Sequence, residues 1–128
     1  MEYYSYKPLG RPSSIRLIRL TPRGTNHKND DQTLRINLIE VDLAQKPIYD
    51  ALSYTWGDLK DKLPVVVDGK VLEITISLFF FLRQLSEQPP WDDSEILLWA
   101  DQISINQKSI PERNQQVAIM ADIYRQSR

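Results

Sequence analysis

Residues 96–113 read ILLWADQISINQKSIPER, and this stretch decides how the rest of the chain is organised. Ile96, Leu97, Leu98, Trp99 and Ala100 form an unbroken apolar run. It is too short to span a membrane and the right length for a central strand buried on both faces. Asp101 ends the run, and Gln102, Ser104, Asn106 and Gln107 follow as polar side chains crowded into a loop. That loop falls at the carboxyl end of a strand, the edge at which open α/β sheets usually bind ligands. Ser109-Ile110-Pro111-Glu112 then spells a capping box, in which the serine hydroxyl and the glutamate carboxylate satisfy amides at the start of a following helix. Strand, loop and capped helix form one unit. Its carboxylates, Asp101 and Glu112, are the candidate catalytic residues, and Asn106, Gln107 and Arg113 are candidate ligand or interface residues.

Composition bounds what this unit belongs to. With 128 residues, 41% hydrophobic and 26% charged, the chain suffices for one modest globular domain and not for two. Sixteen basic and seventeen acidic residues leave a formal charge of -1, so no global field draws the chain to nucleic acid or to an anionic membrane. Arg11, Arg16, Arg19 and Arg23 are too sparse a cluster to change that, and nucleic-acid binding is set aside. The absence of cysteine excludes disulfides, a thiol nucleophile and thiolate zinc sites. A carboxylate metal site is conceivable from Asp58, Asp101 and Glu112 but ranks last, since no ligand spacing marks one, and the cofactor is left open. The beginning, MEYYSYKPLG, lacks a basic region followed by an apolar core, so no secretory signal is read and a cytoplasmic location is the default expectation.

Working outward toward the start, residues 15–20 read as a short strand with Arg16 and Arg19 on opposite faces, which suggests an edge position. Residues 22–31 form a loop that contains His27, the one histidine, read as a solvated turn residue rather than a ligand. Residues 34–43 are the next strand. Their apolar set moves from Leu34, Ile36 and Leu38 to Ile39, Val41 and Leu43, the mark of a bulge or a change of buried face. These two strands are expected to pair antiparallel. Residues 49–58, YDALSYTWGD, begin as a third strand and break at Trp56-Gly57-Asp58, where glycine permits a turn. Trp56 reads either as a plug over the sheet or as a stacking surface for a ligand, and Asp58 as a loop cap or a site carboxylate.

Asp68-Gly69 sits between Val65-Val66-Val67 and Val71-Leu72 and suits a type I′ hairpin turn. From Ser77 the period becomes helical, with Leu78, Phe81, Leu82 and Leu85 inward, Arg83, Gln84 and Glu87 outward, and Phe80 toward the polar side as a candidate partner contact. If the third strand and residues 96–100 run parallel, the Trp56 and Asn106 loops share one sheet edge. The last helix, from about Ile110, is read with Val117, Met120, Ile123 and Tyr124 on its apolar stripe. That stripe would be better covered by a further strand. The expected architecture is α/β, a mixed sheet with flanking helices, with residues 1–48 as an amino-terminal strand pair leading into a core at 49–128.

Tyr49-Asp50-Ala51-Leu52-Ser53-Tyr54-Thr55-Trp56-Gly57, Leu98 to Gln107 as LWADQISINQ, and Glu112-Arg113 resemble the fungal heterokaryon incompatibility (HET) domain family. The order of elements matches that family across nearly the whole chain, from an R-L-x-x-L strand at residues 16–20 to Gln116-Val117, Met120 and Ile123-Tyr124. Ala100, Ser104 and Ser77 depart from the residues usual in the family, and Ser104 argues against an essential thiol. The family pattern runs on into a strand ending in tryptophan-leucine-glycine, which this sequence lacks, so the resemblance implies an amino-terminal portion of the domain. It also implies a part in non-self recognition, or allorecognition, with programmed cell death after incompatible strains fuse, an innate-immunity type of response.

The family is distantly similar to TIR domains, which implies a TIR-like, flavodoxin-like core. Some TIR domains cleave NAD and others only scaffold, so the kinship implies either a nucleotide substrate or self-association with other cell-death proteins. On the enzyme reading, Asp58, Asp101 and Glu112 supply carboxylates and Asn106 and Gln107 supply amides, enough to orient a nucleotide ribose or stabilise an oxocarbenium-like centre. Arg113 is then free to pair with Asp58 or Asp101. On the structural reading, Glu112 only caps and Asp101 only fixes its loop. A capping glutamate tolerates glutamine and costs up to about 1 kcal/mol on change to alanine, whereas a catalytic one tolerates neither.

Overall fold

The computed structural model describes residues 2–20, 33–53, 59–87 and 96–128. The elements are β1 (Ser14–Leu20), β2 (Arg35–Asp42), β3 (Asp50–Ala51), β4 (Lys62–Val67), β5 (Lys70–Thr75), α1 (Ile76–Glu87), β6 (Ile96–Trp99), α2 (Asp101–Ser104) and α3 (Ile110–Gln126). The strands form one mixed sheet in the order β3-β6-β1-β2-β4-β5. The expected α/β class, with an antiparallel β1–β2 pair and a β4–β5 hairpin, is what the chain adopts.

Local chemistry accounts for the hairpin. Asp68 and Gly69 both have positive φ, 50° and 84°, as a type I′ turn requires, and the turn joins Val67 to Lys70 in the register expected from the flanking valines. β1 behaves differently from the edge strand its two arginines suggested. It lies between β2 and β6, antiparallel to both, and Arg16 is only 4% exposed. Its partner is Glu112, 96 residues away, and no local pattern announces it. β6 is correspondingly an interior strand, one place in from the β3 edge. The pairing of β2 with β1 runs unbroken from Ile36 to Asp42, so the shift of its apolar residues reflects two buried faces and no bulge.

Those two faces carry two cores. On one, Ile18, Leu20, Ile36, Val65, Ile74 and Leu98 pack with Leu78, Phe79 and Leu82 of α1. On the other, Ile15, Leu17, Tyr49, Trp99 and Ile105 pack with Ile123 of α3, backed by Ile119, Met120 and Tyr124. α1 is rotated from the expected orientation, burying Phe79 in place of Phe81 and leaving Phe80 and Phe81 exposed. Three consecutive phenylalanines give no period by which to choose among them, and the Arg83 guanidinium lies 5.8 Å from the Phe79 ring centroid. On α3, Val117 is exposed and the buried positions are Glu112, Gln116 and Ile123. Gln116 is fully buried, its Nε2 donating to the Ser14 carbonyl at 3.0 Å while its Oε1 has no partner among the described residues.

The sheet curls back on itself. The Thr75 amide and hydroxyl, at the end of the strand farthest in pairing order from β6, bond to the carboxamide of Gln102, just past β6, at 2.8 and 3.1 Å. The amino-terminal segment pairs with the outer edge of β5, through Tyr4 N to Val71 O at 2.7 Å and Val71 N to Glu2 O at 2.9 Å. His27 lies outside the described residues.

Candidate functional site

β3 and β6 run parallel, with Ala51 opposite Trp99 and the Leu52 amide bonded to the Trp99 carbonyl at 2.8 Å. Their carboxyl ends therefore leave the sheet side by side, the condition on which a shared edge depended. Trp56, Gly57 and Asp58 lie outside the described residues. The segment after β6 is partly helical: Asp101–Ser104 close one turn, α2, with Ile103 and Ser104 buried beneath it. Ala100 caps that turn without a side-chain bond, and its amide instead donates to the Ser104 hydroxyl at 3.1 Å.

Each polar side chain of the loop has a structural attachment. Gln107 Nε2 donates to the Asp101 carbonyl at 2.7 Å and to the Ile105 carbonyl at 3.3 Å, folding the loop over α2. Asn106 Oδ1 accepts the Lys108 amide at 3.2 Å, a side chain mimicking a backbone turn. The Asn106 amide donates to Glu112 Oε2 at 2.6 Å. Half of the capping box forms: the Ser109 hydroxyl accepts the Glu112 amide at 3.3 Å. The other half does not, because the Ser109 amide turns to the Asn106 carbonyl and the Glu112 carboxylate turns inward.

There it meets Arg16. Nη1 lies 2.6 Å from Glu112 Oε2 and Nη2 lies 2.8 Å from Oε1, a two-pronged pair buried on both sides. Arg16 also donates to the carbonyls of Ser104 and Lys7 at 3.1 and 2.7 Å. Its guanidinium carbon lies 4.9 Å from the centroid of the Tyr6 ring, whose hydroxyl reaches the Ile103 carbonyl at 2.7 Å. Burial by itself would push the Glu112 carboxyl up. The hydrogen bonds from Arg16 and from the Asn106 amide, with the charge of Arg16, outweigh it and hold the group below its ordinary value. Burial pushes the Tyr6 phenol well up, against the opposing pull of Arg16.

Asp101 faces elsewhere. It is half-buried at the start of α2, close enough to Tyr124 for its charge to add to burial in raising that phenol. Tyr124 packs edge to face on Trp99, with centroids 5.5 Å apart, and donates to the Leu52 carbonyl at 3.1 Å. The loop thus has two sides. Asp101 stands with Tyr124 and the end of β3, whereas Gln102, Asn106 and Gln107 line a groove toward β5. Arg113 is exposed and, among the described residues, its side chain makes no ion pair, so the suggested pairing with Asp101 is not made. Reading the sequence missed Arg16, Tyr6 and Tyr124 as members of this region. A buried arginine carries no local signal, but the tyrosines of YYSY were visible as an aromatic cluster.

Among the described residues no three metal-ligating side chains converge, and no helix is long and apolar enough to cross a membrane. No solved structure matches the chain. Heterokaryon incompatibility protein 6, OR allele, of Neurospora crassa is 37% identical over 131 residues, an alignment covering 94% of this chain and 19% of that protein. The chain therefore spans about a fifth of that relative's length. The family model described as heterokaryon incompatibility protein (HET) matches residues 49–128, the run from just before β3 to the end of α3 that carries Asp101, the loop and Glu112. The chain belongs to the heterokaryon incompatibility (HET) family.

Proposed function

We propose that this chain acts in fungal heterokaryon incompatibility as an effector of programmed cell death, and that the effect depends on Asp101. One observation carries the reading. Within the family-matched segment, Asp101 stands half-buried at the carboxyl ends of two parallel strands, beside Tyr124. A half-exposed carboxylate at such an edge is the group able to stabilise positive charge developing at a ribose carbon. Hydrolysis of NAD at its nicotinamide bond, in which water adds to the ribose carbon as nicotinamide leaves, is chemistry of that type.

Asp101→Asn keeps the shape of the side chain and removes its charge. Placed in a full-length HET protein and shown by circular dichroism to be folded, it should abolish killing of fused cells. Parental killing by the folded variant would remove Asp101 from the site. Purified protein incubated with NAD and followed for nicotinamide release tests the chemistry directly.

A second reading, killing by self-association without catalysis, is favoured by the outer face of α1. Ile76, Phe80 and Phe81 are exposed there and offer apolar surface to a second copy. Under that reading Phe80→Ser with Phe81→Ser abolishes killing, and Asp101→Asn does not.

A further inference from the structure

The groove on the other side of the loop has a volume of about 440 Å³, within the range of roughly 300–1,000 Å³ usual for small-molecule sites. Tyr4 and Leu72 supply apolar wall, and the Tyr4 and Tyr6 rings meet edge to face with centroids 5.0 Å apart. Asn106 and Gln107 line it from the loop. Each has spent one half of its carboxamide inside the protein, Asn106 its oxygen and Gln107 its nitrogen. The other halves, a donor at Asn106 Nδ2 and an acceptor at Gln107 Oε1, make no hydrogen bond among the described residues. Lys62 and Lys108 also line the groove, both exposed and without an ion pair among the described residues, against a single lining acid, Glu73.

We infer that this groove binds a nucleoside monophosphate, its base edge held by Asn106 and Gln107 and its phosphate by Lys62 and Lys108. A donor and an acceptor on successive residues match the paired donor and acceptor that a nucleobase edge presents. A tyrosine wall suits a flat ring of any base, and two lysines at an open rim suit a small anion. A peptide adding as a strand fits less well, because the β5 edge beside the groove is already taken by Glu2 and Tyr4. Asp101 is not among the lining residues, so this site stands apart from the proposed effector site and fails or survives independently of it.

Calorimetric titration of the purified chain with adenosine monophosphate, adenosine and inorganic phosphate tests the assignment. The monophosphate should bind saturably and at least tenfold more tightly than either fragment. Lys62→Glu with Lys108→Glu should weaken it at least tenfold, leaving adenosine binding and the melting temperature unchanged. Phosphate binding as tightly as the nucleotide, unaltered nucleotide binding by the double variant, or no saturation at millimolar nucleotide would each overturn the proposal.

Discussion

Arg16 and Glu112 hold opposite charges out of water, and the arrangement persists because nearly every polar atom of the two groups is hydrogen-bonded. The carboxylate accepts from both terminal guanidinium nitrogens and from the Asn106 amide, and the guanidinium donates further to the carbonyls of Ser104 and Lys7. Such a pair adds little net stability over a well-packed apolar substitute, but removing one partner strands the other, at a cost of about 3–5 kcal/mol. Glu112→Gln should therefore be strongly destabilising in urea unfolding, far beyond the small effect expected of a residue that only caps. Arg16→Met combined with Glu112→Leu should recover most of the loss. A cost below about 1 kcal/mol for the single glutamine variant would contradict this, being the scale of a cap. The sign of the pH dependence is set by the same contacts. The carboxyl is held below its ordinary value of 4.5, so the contribution is fully present above that value and is lost as pH falls through the lower folded value. The glutamine variant should lack this component of acid unfolding, which thermal melts between neutral pH and pH 3 would measure.

The elements built by near neighbours were legible in the sequence, and those fixed by distant partners were not. Asp68-Gly69 announced its hairpin because turn chemistry is local, and the antiparallel pairing of β1 with β2 followed from adjacent apolar runs. The parallel pairing of β3 with β6, which brings the candidate site to one edge, was legible as a condition of the topology. The interior position of β1 was hidden, since Arg16 looks like a solvent residue until Glu112 is in view. The exposure of Val117 on α3 was hidden for the same reason, because the buried face begins with Glu112 and Gln116 and periodicity counts only apolar residues. The α2 turn was concealed by its polar composition, although Gln102 from it does what an apolar staple would do. Its carboxamide takes both the amide and the hydroxyl of Thr75 and so ties β5 to the end of β6. Gln102→Ala should cost about 1–3 kcal/mol, two ordinary hydrogen bonds with a backbone amide left unsatisfied. Hydrogen exchange should quicken at residues 70–76 and remain slow in β1 and β6. Uniform acceleration across the sheet would show that the staple is not local.

At the scale of the molecule, the family match begins at residue 49, but the sheet does not. β1 and β2 lie in its middle, and β6 reaches the rest of the sheet through β1 by pairing Leu98 with Ile18 and Ile96 with Leu20. Both cores draw on the first 48 residues, Ile18, Leu20 and Ile36 on the α1 side and Ile15, Leu17 and Leu43 on the α3 side. Without them Glu112 loses Arg16, Ile103 loses the Tyr6 hydroxyl, and β6 and β4 each present an open edge to water. A strand edge so exposed invites pairing with another chain. The amino-terminal strands thus form part of the folding unit, and residues 49–128 produced alone should not unfold cooperatively. They should show a broad, weak thermal transition and concentration-dependent association, while the whole chain melts in a single step. Adding a peptide of residues 1–48 in excess should restore a cooperative transition, because β1 would re-form its pairing with β6 and return Arg16 to Glu112. A sharp melt of 49–128 alone, near that of the whole chain, would show that β1 and β2 are an accessory layer and that the centre of the fold lies elsewhere.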